Sequence, residues 1–276
     1  MSTKLPTYFI GHAGVAALFF ENQKPLHAGF RAIGKEIKAL NPDAIVITSG
    51  HFQSPNDVIQ VNLQEPTKVW HDFAVDWHPT YPHVYEYDYP HQSSRALGEK
   101  VLRHLKDQGI QAEPVYRDLD HGVWVPFKLM FPEGEDELEI PILEVSTYDG
   151  DDYQKHLRLG EALASLGERI LIIGSGMLVH NLDAMRNKSD VIEVAQSIEA
   201  ETVHALASRT PEERTKRLLQ LQQRDDWQRA HPTDEHILPL YITLGVGRDL
   251  EGHRVWNTDQ CTIGQSFTCF RLGNII

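Results

Sequence analysis

The sequence predicts an α/β fold: a single-domain, central, mostly parallel sheet flanked by helices, with a smaller strand pair near the C-terminus. Three observations carry this. Strand and helix patterns alternate through the first two thirds of the chain, and the strands read as near-continuous apolar runs, as strands covered on both faces do. The length, 276 residues, is long for one domain and short for two. No internal repeat, low-complexity stretch or linker marks a boundary, so residues 1–276 are read as one domain.

The elements follow in order. Tyr8-Phe9-Ile10 is a short apolar strand, and Leu26, Phe30, Ile33, Ile37 and Leu40 recur at helical spacing. The β-branched run Ala44-Ile45-Val46-Ile47-Thr48 completes a β-α-β opening. Between Val69 and Pro90, Trp70, Trp77, Tyr81, Tyr85, Tyr87 and Tyr89 crowd together too irregularly for one element. They suit either a wall over an aromatic ligand or a satellite hydrophobic cluster under a long loop. Leu97, Val101, Leu102 and Leu105 predict a second helix stopped by Gly109, followed by a strand at Ala112 to Val115. The acidic stretch Glu133 to Glu139, between Pro132 and Pro141, is expected to be a solvated loop. Ile140 to Val145 is a strand, His156 to Leu166 a helix, and Ile170 to Ile173 a buried strand ending in Gly174-Ser175-Gly176. Asp190 to about Gln223 is helical and charged, with Pro211 as a break, and Thr233 is expected to cap a helix running through Leu244 that Pro239 kinks or delays. Val255-Trp256 and Ser266 to Arg271 form the closing strand pair.

Composition narrows the function. Hydrophobic residues at 41% and charged residues at 24% are ordinary globular usage. A formal charge of -13 with no basic stripe argues against a nucleic-acid partner and for a small molecule. Met1 to Pro6 has no signal-peptide character, and no apolar run approaches the roughly 20 residues that span a bilayer, so no membrane association and a cytoplasmic location are expected. Cys261 and Cys269 are expected to stay reduced, with Cys269 packed in the core between Phe267 and Phe270.

The chemistry lies in the placement of a few of the 15 histidines. His12 follows the first strand in Gly11-His12-Ala13-Gly14, His51 follows the second in Ser49-Gly50-His51-Phe52, and His180 follows the strand that ends in Gly174-Ser175-Gly176. All three fall at the carboxyl ends of strands, where open α/β sheets bind ligands, and imidazoles gathered there are candidate metal ligands. The flanking glycines are expected to let the backbone turn sharply and to leave room for metal and substrate. His121 sits in Asp120-His121-Gly122, where Asp120 either orients the imidazole or starts a turn. His236 closes His231-Pro232-Thr233-Asp234-Glu235-His236 on the first turn of its expected helix, able to point into a cleft. Other chemistries lack their signatures. There is no Gly-x-Gly-x-x-Gly after a strand, no Gly-x-Ser-x-Gly elbow, no His-Glu-x-x-His and no Cys-x-x-Cys.

Taken in order, Gly11-His12-Ala13-Gly14, Ser49-Gly50-His51-Phe52, Trp70-His71-Asp72-Phe73, Asp120-His121-Gly122, Val179-His180-Asn181-Leu182 and Thr233-Asp234-Glu235-His236-Ile237-Leu238-Pro239-Leu240 resemble the class III extradiol ring-cleavage dioxygenases. These form the LigB-like superfamily, and within it the likeness is to the 4,5-DOPA dioxygenase group. The resemblance implies one LigB-like catalytic domain that opens a catechol, L-DOPA or a similarly substituted one, with O2. It implies non-haem Fe(II) held by His12, His51 and His236, with Zn(II) able to occupy the same site in isolated protein. His180 is then the acid/base and a candidate fourth ligand, and His121 stands beside the substrate hydroxyl. Glu235 keeps a carboxylate ligand open. The chain departs from the family at Val15-Ala16-Ala17 and at Ala74-Val75-Asp76-Trp77-His78-Pro79, segments expected to line the substrate pocket. Two other readings stand beside this one: a zinc hydrolase on the same three histidines, and a non-catalytic metal-binding relative.

Overall fold

The alternating pattern of the first fifty residues folds into a β-α-β unit in the computed structural model, which describes residues 4–187, 191–256 and 264–275. Strand β1 (Thr7–Gly11) is buried along its length. Helix α1 (Lys24–Leu40) turns Leu26, Phe30, Ile33, Ile37 and Leu40 inward and stops at Asn41, whose φ of 47° is a left-handed conformation that asparagine tolerates. Then come β2 (Ala44–Ser54), β3 (Ile59–Asn62), α2 (Arg95–Asp107), β4 (Ala112–Val115), α3 (His121–Met130), β5 (Ile142–Tyr148), α4 (Tyr153–Leu163), β6 (Ile170–Gly176) and β7 (Val179–His180). The last third holds α5 (Leu182–Asn187), α6 (Ile192–Leu206), α7 (Pro211–Leu221), α8 (Trp227–Ala230), α9 (Leu238–Val246), β8 (Gly252–Trp256), β9 (Gln265–Ser266) and β10 (Cys269–Leu272).

Eight strands form one sheet in the order β4-β3-β5-β2-β6-β1-β10-β8. Its centre, β5-β2-β6-β1, is parallel throughout, so the carboxyl ends of these strands open on one side of the molecule. Antiparallel pairings join the outer strands to it, β3 to β5 on one flank and β10 to β1 on the other. Alternate residues divide between two cores, as the two-residue period of a strand requires. Tyr8, Ile10, Ile45 and Ile47 pack with Phe30, Trp124 and Phe127 on one face, whereas Phe9 packs with Tyr241 and Val46 with Ile242 on the other. Covering on both faces is why the runs Tyr8-Phe9-Ile10, Ile45-Val46-Ile47 and Leu171-Ile172-Ile173 are apolar at every position.

The C-terminal strand pair forms as β8 and β10 and extends the main sheet, while β7 and β9 make a separate two-stranded sheet. Cys269 is fully buried with a free thiol that accepts the Gly11 N–H at 3.3 Å, and Cys261 lies outside the described residues. Several elements have no counterpart in the sequence reading, among them β3, α3, β7, α5 and α8. Helix α3 is buried almost all round and contains Pro126, so it lacks the one-sided periodicity that announces a surface helix. Strand β3 is only four residues long. The helix expected from Thr233 instead begins at Leu238 with Pro239 in its first turn, where the missing N–H costs no intrahelical hydrogen bond. The acidic loop is at the surface, with Glu135 paired to Arg31 at 2.6 Å. Among the described residues no helix is long and apolar enough to cross a membrane.

Candidate active site

The carboxyl ends of the central strands bring the predicted histidines together. His12 follows β1, and its N–H donates to the Gly176 carbonyl at 2.8 Å, prolonging the β1-β6 pairing by one residue. His51 lies within the longer β2, where the register against β5 shifts between Thr48 and Gln53. His236 occupies the turn before α9, and its carbonyl accepts the Met177 N–H at 2.8 Å, which fastens the turn to the end of β6. That contact is close enough that a Cβ on Gly176 would fall 2.0 Å from the His236 oxygen. The glycines beside His12 and His51 therefore act differently from expectation. None of Gly11, Gly14 and Gly50 has a positive φ, and Gly50 lets the His236 turn lie against β2.

The three rings face one another, with centroids 5.0 Å apart for His12 and His51, 5.3 Å for His12 and His236, and 4.7 Å for His51 and His236. One ring nitrogen from each lies within 4.8 Å of the others. Hydrogen bonds fix which nitrogens these are. Ser175 Oγ donates to the Gly122 carbonyl at 2.5 Å, so it accepts from His12 Nδ1–H at 3.0 Å and leaves Nε2 with its lone pair. Among the described residues His12 Nε2 is buried without a partner. Glu235 Oε1 accepts from His236 Nδ1–H at 2.9 Å, which likewise frees Nε2. His236 Nε2 stands 3.3 Å from His51 Nε2.

These donors suit a transition metal. Tetrahedral or octahedral bonds of about 2.1 Å place neighbouring imidazole nitrogens about 3.0–3.4 Å apart, the spacing found between His51 and His236. The ligand atoms must also be uncharged. Burial first, then the neighbouring histidines, holds His12 and His236 well below the ordinary imidazole range, and burial lowers His51 to about 3. Neutral imidazoles crowded in a buried site favour a cation among them.

Two further histidines flank this group. The His180 ring stacks on His236 at 3.6 Å, and its Nδ1 lies 3.9 Å from Glu235 Oε1. Burial lowers its pKa, partly offset by Glu235. Glu235 thus stands between the two imidazoles as a hydrogen-bond acceptor, and with His180 and His236 it presents a second group of ligand atoms within 4.8 Å of one another. His121 opens α3, with its ring 3.9 Å from that of His51.

Asp120 neither orients His121 nor merely starts a turn. It occupies the N-cap position of α3 without a capping bond, and its Oδ1 accepts from Ser49 Oγ at 2.8 Å. The carboxylate on His121 is that of Asp72, from the aromatic segment, a residue visible in Trp70-His71-Asp72-Phe73 but carrying no signal of its partner. Joined to Ser49 through Asp120 lies a largely buried group of Arg117, Asp120 and Glu144, in which burial and then the Asp120 charge push the Glu144 carboxyl well upward. Arg117 is covered by Phe52, 4.0 Å from its guanidinium carbon to the ring centre.

The aromatic segment divides in two. Phe73 reaches inward, its ring 5.9 Å from His121 and 5.5 Å from Tyr85. Trp77 and Tyr81 instead join Phe19 and Phe20 in a satellite cluster. Trp70 and Val75 remain half exposed, at 49% and 50%.

Known proteins resemble this chain over most of its length. Residues 8–269 match the family model described as the catalytic LigB subunit of aromatic ring-opening dioxygenase. A protein of Schizosaccharomyces pombe called 4,5-DOPA dioxygenase extradiol-like is 30% identical over 215 residues, 76% of this chain and 70% of its own. The 4,5-DOPA dioxygenase extradiol of Beta vulgaris is 30% identical over 245 residues, covering 87% of this chain and 86% of that one. Among solved structures, an uncharacterized protein of Escherichia coli K12 has the same fold, with a TM-score of 0.75 at 22% identity over 98% of this chain and 100% of its own.

Proposed function

Because the chain belongs to the LigB family of aromatic ring-opening dioxygenases, we propose that it is an extradiol enzyme that cleaves a catechol at a non-haem Fe(II) site held by His12, His51 and His236. Family membership makes it a metal-dependent oxidoreductase. The names of its plant relatives support L-DOPA or a similarly substituted catechol as the substrate. In the reaction the ring bond beside the diol breaks and both atoms of O2 enter the product, a ring-opened semialdehyde. The whole chain is read as one catalytic domain.

The observation that carries this reading is the convergence of three Nε2 atoms with two further imidazoles beside them. Iron(II), when bound, supplies open positions for the diol and O2 and a path for electrons between them. The remaining work falls to this chain's side chains. His180 takes the proton of a substrate hydroxyl and later returns it, with Glu235 3.9 Å away to support the charge it then carries. His121 hydrogen-bonds the substrate on the opposite side, and Phe73 offers a ring face to the aromatic ligand. Keeping His12, His51 and His236 neutral by burial preserves their lone pairs for the metal.

The test is oxygen uptake. Protein loaded with Fe(II) without air, then given a panel of catechols including L-DOPA in air-saturated buffer, is expected to consume one O2 per substrate with a new yellow absorbance. Zn(II)-loaded protein should consume none. Full Fe(II) occupancy with no uptake on any catechol overturns the proposal.

A further inference from the structure

The segment carrying Asp72 is zipped onto the strand-like approach to α3. Lys68 N–H donates to Asp118 Oδ1 at 2.8 Å, Leu119 N–H to the Lys68 carbonyl at 2.9 Å, and Trp70 N–H to the Leu119 carbonyl at 2.8 Å. Val69 and Leu119 form the corresponding parallel bridge. The next N–H in this ladder belongs to His121, and among the described residues no backbone carbonyl receives it. The Asp72 side chain does so instead: Oδ1 accepts the His121 backbone N–H at 2.9 Å and, with the same oxygen, the His121 ring Nδ1–H at 2.9 Å. A second clamp joins the same two segments, since Trp124 Nε1–H donates to the Trp70 carbonyl at 3.1 Å. Register thus delivers one carboxylate to both donors of one residue.

We propose that Asp72 is a positioning residue for His121: it holds the ring in the Nδ1–H tautomer and one orientation, so that Nε2 meets the substrate as a hydrogen-bond acceptor. A carboxylate has no proton to give, so the nitrogen facing it carries the hydrogen and the other carries the lone pair. An acceptor at Nε2 selects a ligand that presents a hydroxyl hydrogen there. An ether or a bare oxyanion at that position meets a lone pair. The assignment rests on the proposed reaction and deepens it by naming the residue that orients His121. Asp72 could also be imagined as a ligand, since His51, Asp72 and His121 present atoms within 4.8 Å of one another. Its oxygen is already shared by two hydrogen-bond donors at 2.9 Å, which favours the positioning role.

The experiment uses the Zn(II)-loaded, 15N-labelled protein, which is diamagnetic and does not turn over. Long-range 1H–15N correlation of the imidazoles is expected to show His121 protonated at Nδ1. In Asp72→Ala that signal should change to mixed tautomers, Zn(II) affinity should hold, and the affinity for 4-nitrocatechol, read from its absorbance, should fall roughly tenfold. Asp72→Asn, whose amide oxygen can accept from the same two donors, should restore the tautomer and most of the affinity. His121 protonated at Nε2 in the wild-type protein overturns the proposal, a reading that needs no variant to fold. So does a tenfold or greater loss of Zn(II) affinity in Asp72→Asn, which would make Asp72 a ligand. Failure of the Fe(II) protein to consume O2 would leave these tautomers unaffected and would count against the reaction alone.

Discussion

The site has two halves built by different means. His12, His51 and His236 form a floor after β1, within β2 and on a turn bonded to the end of β6, with His12 donating a hydrogen bond to Ser175 and His236 to Glu235. His121, His180, Asp72 and Phe73 form the wall around it, contributed by a helix terminus, a two-residue strand and an irregular segment, with His180 against His236 and His121 against His51. The floor is rigid because the sheet determines it, and rigid donors suit a metal that must be held at fixed distance. The wall is made of connections, whose sequence can vary without disturbing the sheet. On the proposed reading, substitutions in the floor are expected to change metal binding and substitutions in the wall to change the handling of substrate.

The largest effects should break the two halves apart. His12→Ala or His51→Ala removes one of three proposed ligands, and iron content by elemental analysis is expected to fall below about one tenth of wild type, with activity lost in proportion. His180→Ala should keep the metal and lose roughly 10²–10⁴-fold in kcat, the usual contribution of a proton-transferring side chain. Full iron occupancy in all three variants would erase the distinction between floor and wall. Loss of iron in His180→Ala alone would move His180 into the floor as a fourth ligand.

The same division explains what the sequence revealed. The floor was legible for His12 and His51 because apolar strand runs are strong patterns and the residue after a run is easily located. His236 was located by its family motif, but its setting was misread: Thr233 does not cap a helix, and its hydroxyl donates to Glu235 Oε1 at 2.9 Å. The wall was legible only as a list of residues. The contact between Asp72 and His121 spans 49 positions and depends on a register no local pattern encodes, and Asp120 drew attention because it is adjacent in sequence. Helix α3, which carries His121, was hidden by its uniformly apolar composition.

Glu235 sharpens the comparison from the floor side. Its Oε1 accepts from His236 Nδ1–H and lies 3.9 Å from His180 Nδ1, so it adjoins both the proposed ligand and the proposed proton carrier. Glu235→Gln keeps an acceptor but removes the charge, and Fe(II) or Zn(II) affinity measured by chelator competition is expected to fall by about tenfold, the lower end for a residue that supports a metal ligand. A larger loss, matching His12→Ala, would mean that Glu235 itself binds the metal. Unchanged affinity would mean that the hydrogen bond alone, without the charge, sets the His236 ring.

The smallest expected effect belongs to Phe73, and it tests whether the wall meets the substrate at all. Its ring stands 5.9 Å from His121 and 6.3 Å from Trp124, half-buried and packed against the core beneath it. Aromatic pairs of this kind contribute about 0.5–1.5 kcal/mol beyond the area they bury, which corresponds to roughly a two- to tenfold change in an equilibrium constant. If Phe73 lies against the catechol, Phe73→Ala should raise KM by that factor with kcat nearly unchanged, because the contact is equal in ground and transition states. Metal content should not move. If the ring only fills the cluster with Tyr85 and Trp124, the variant should instead unfold at lower denaturant concentration while KM stays constant. Measuring KM, kcat and the denaturation midpoint on one preparation separates these outcomes, since loss of packing and loss of substrate contact act on different quantities.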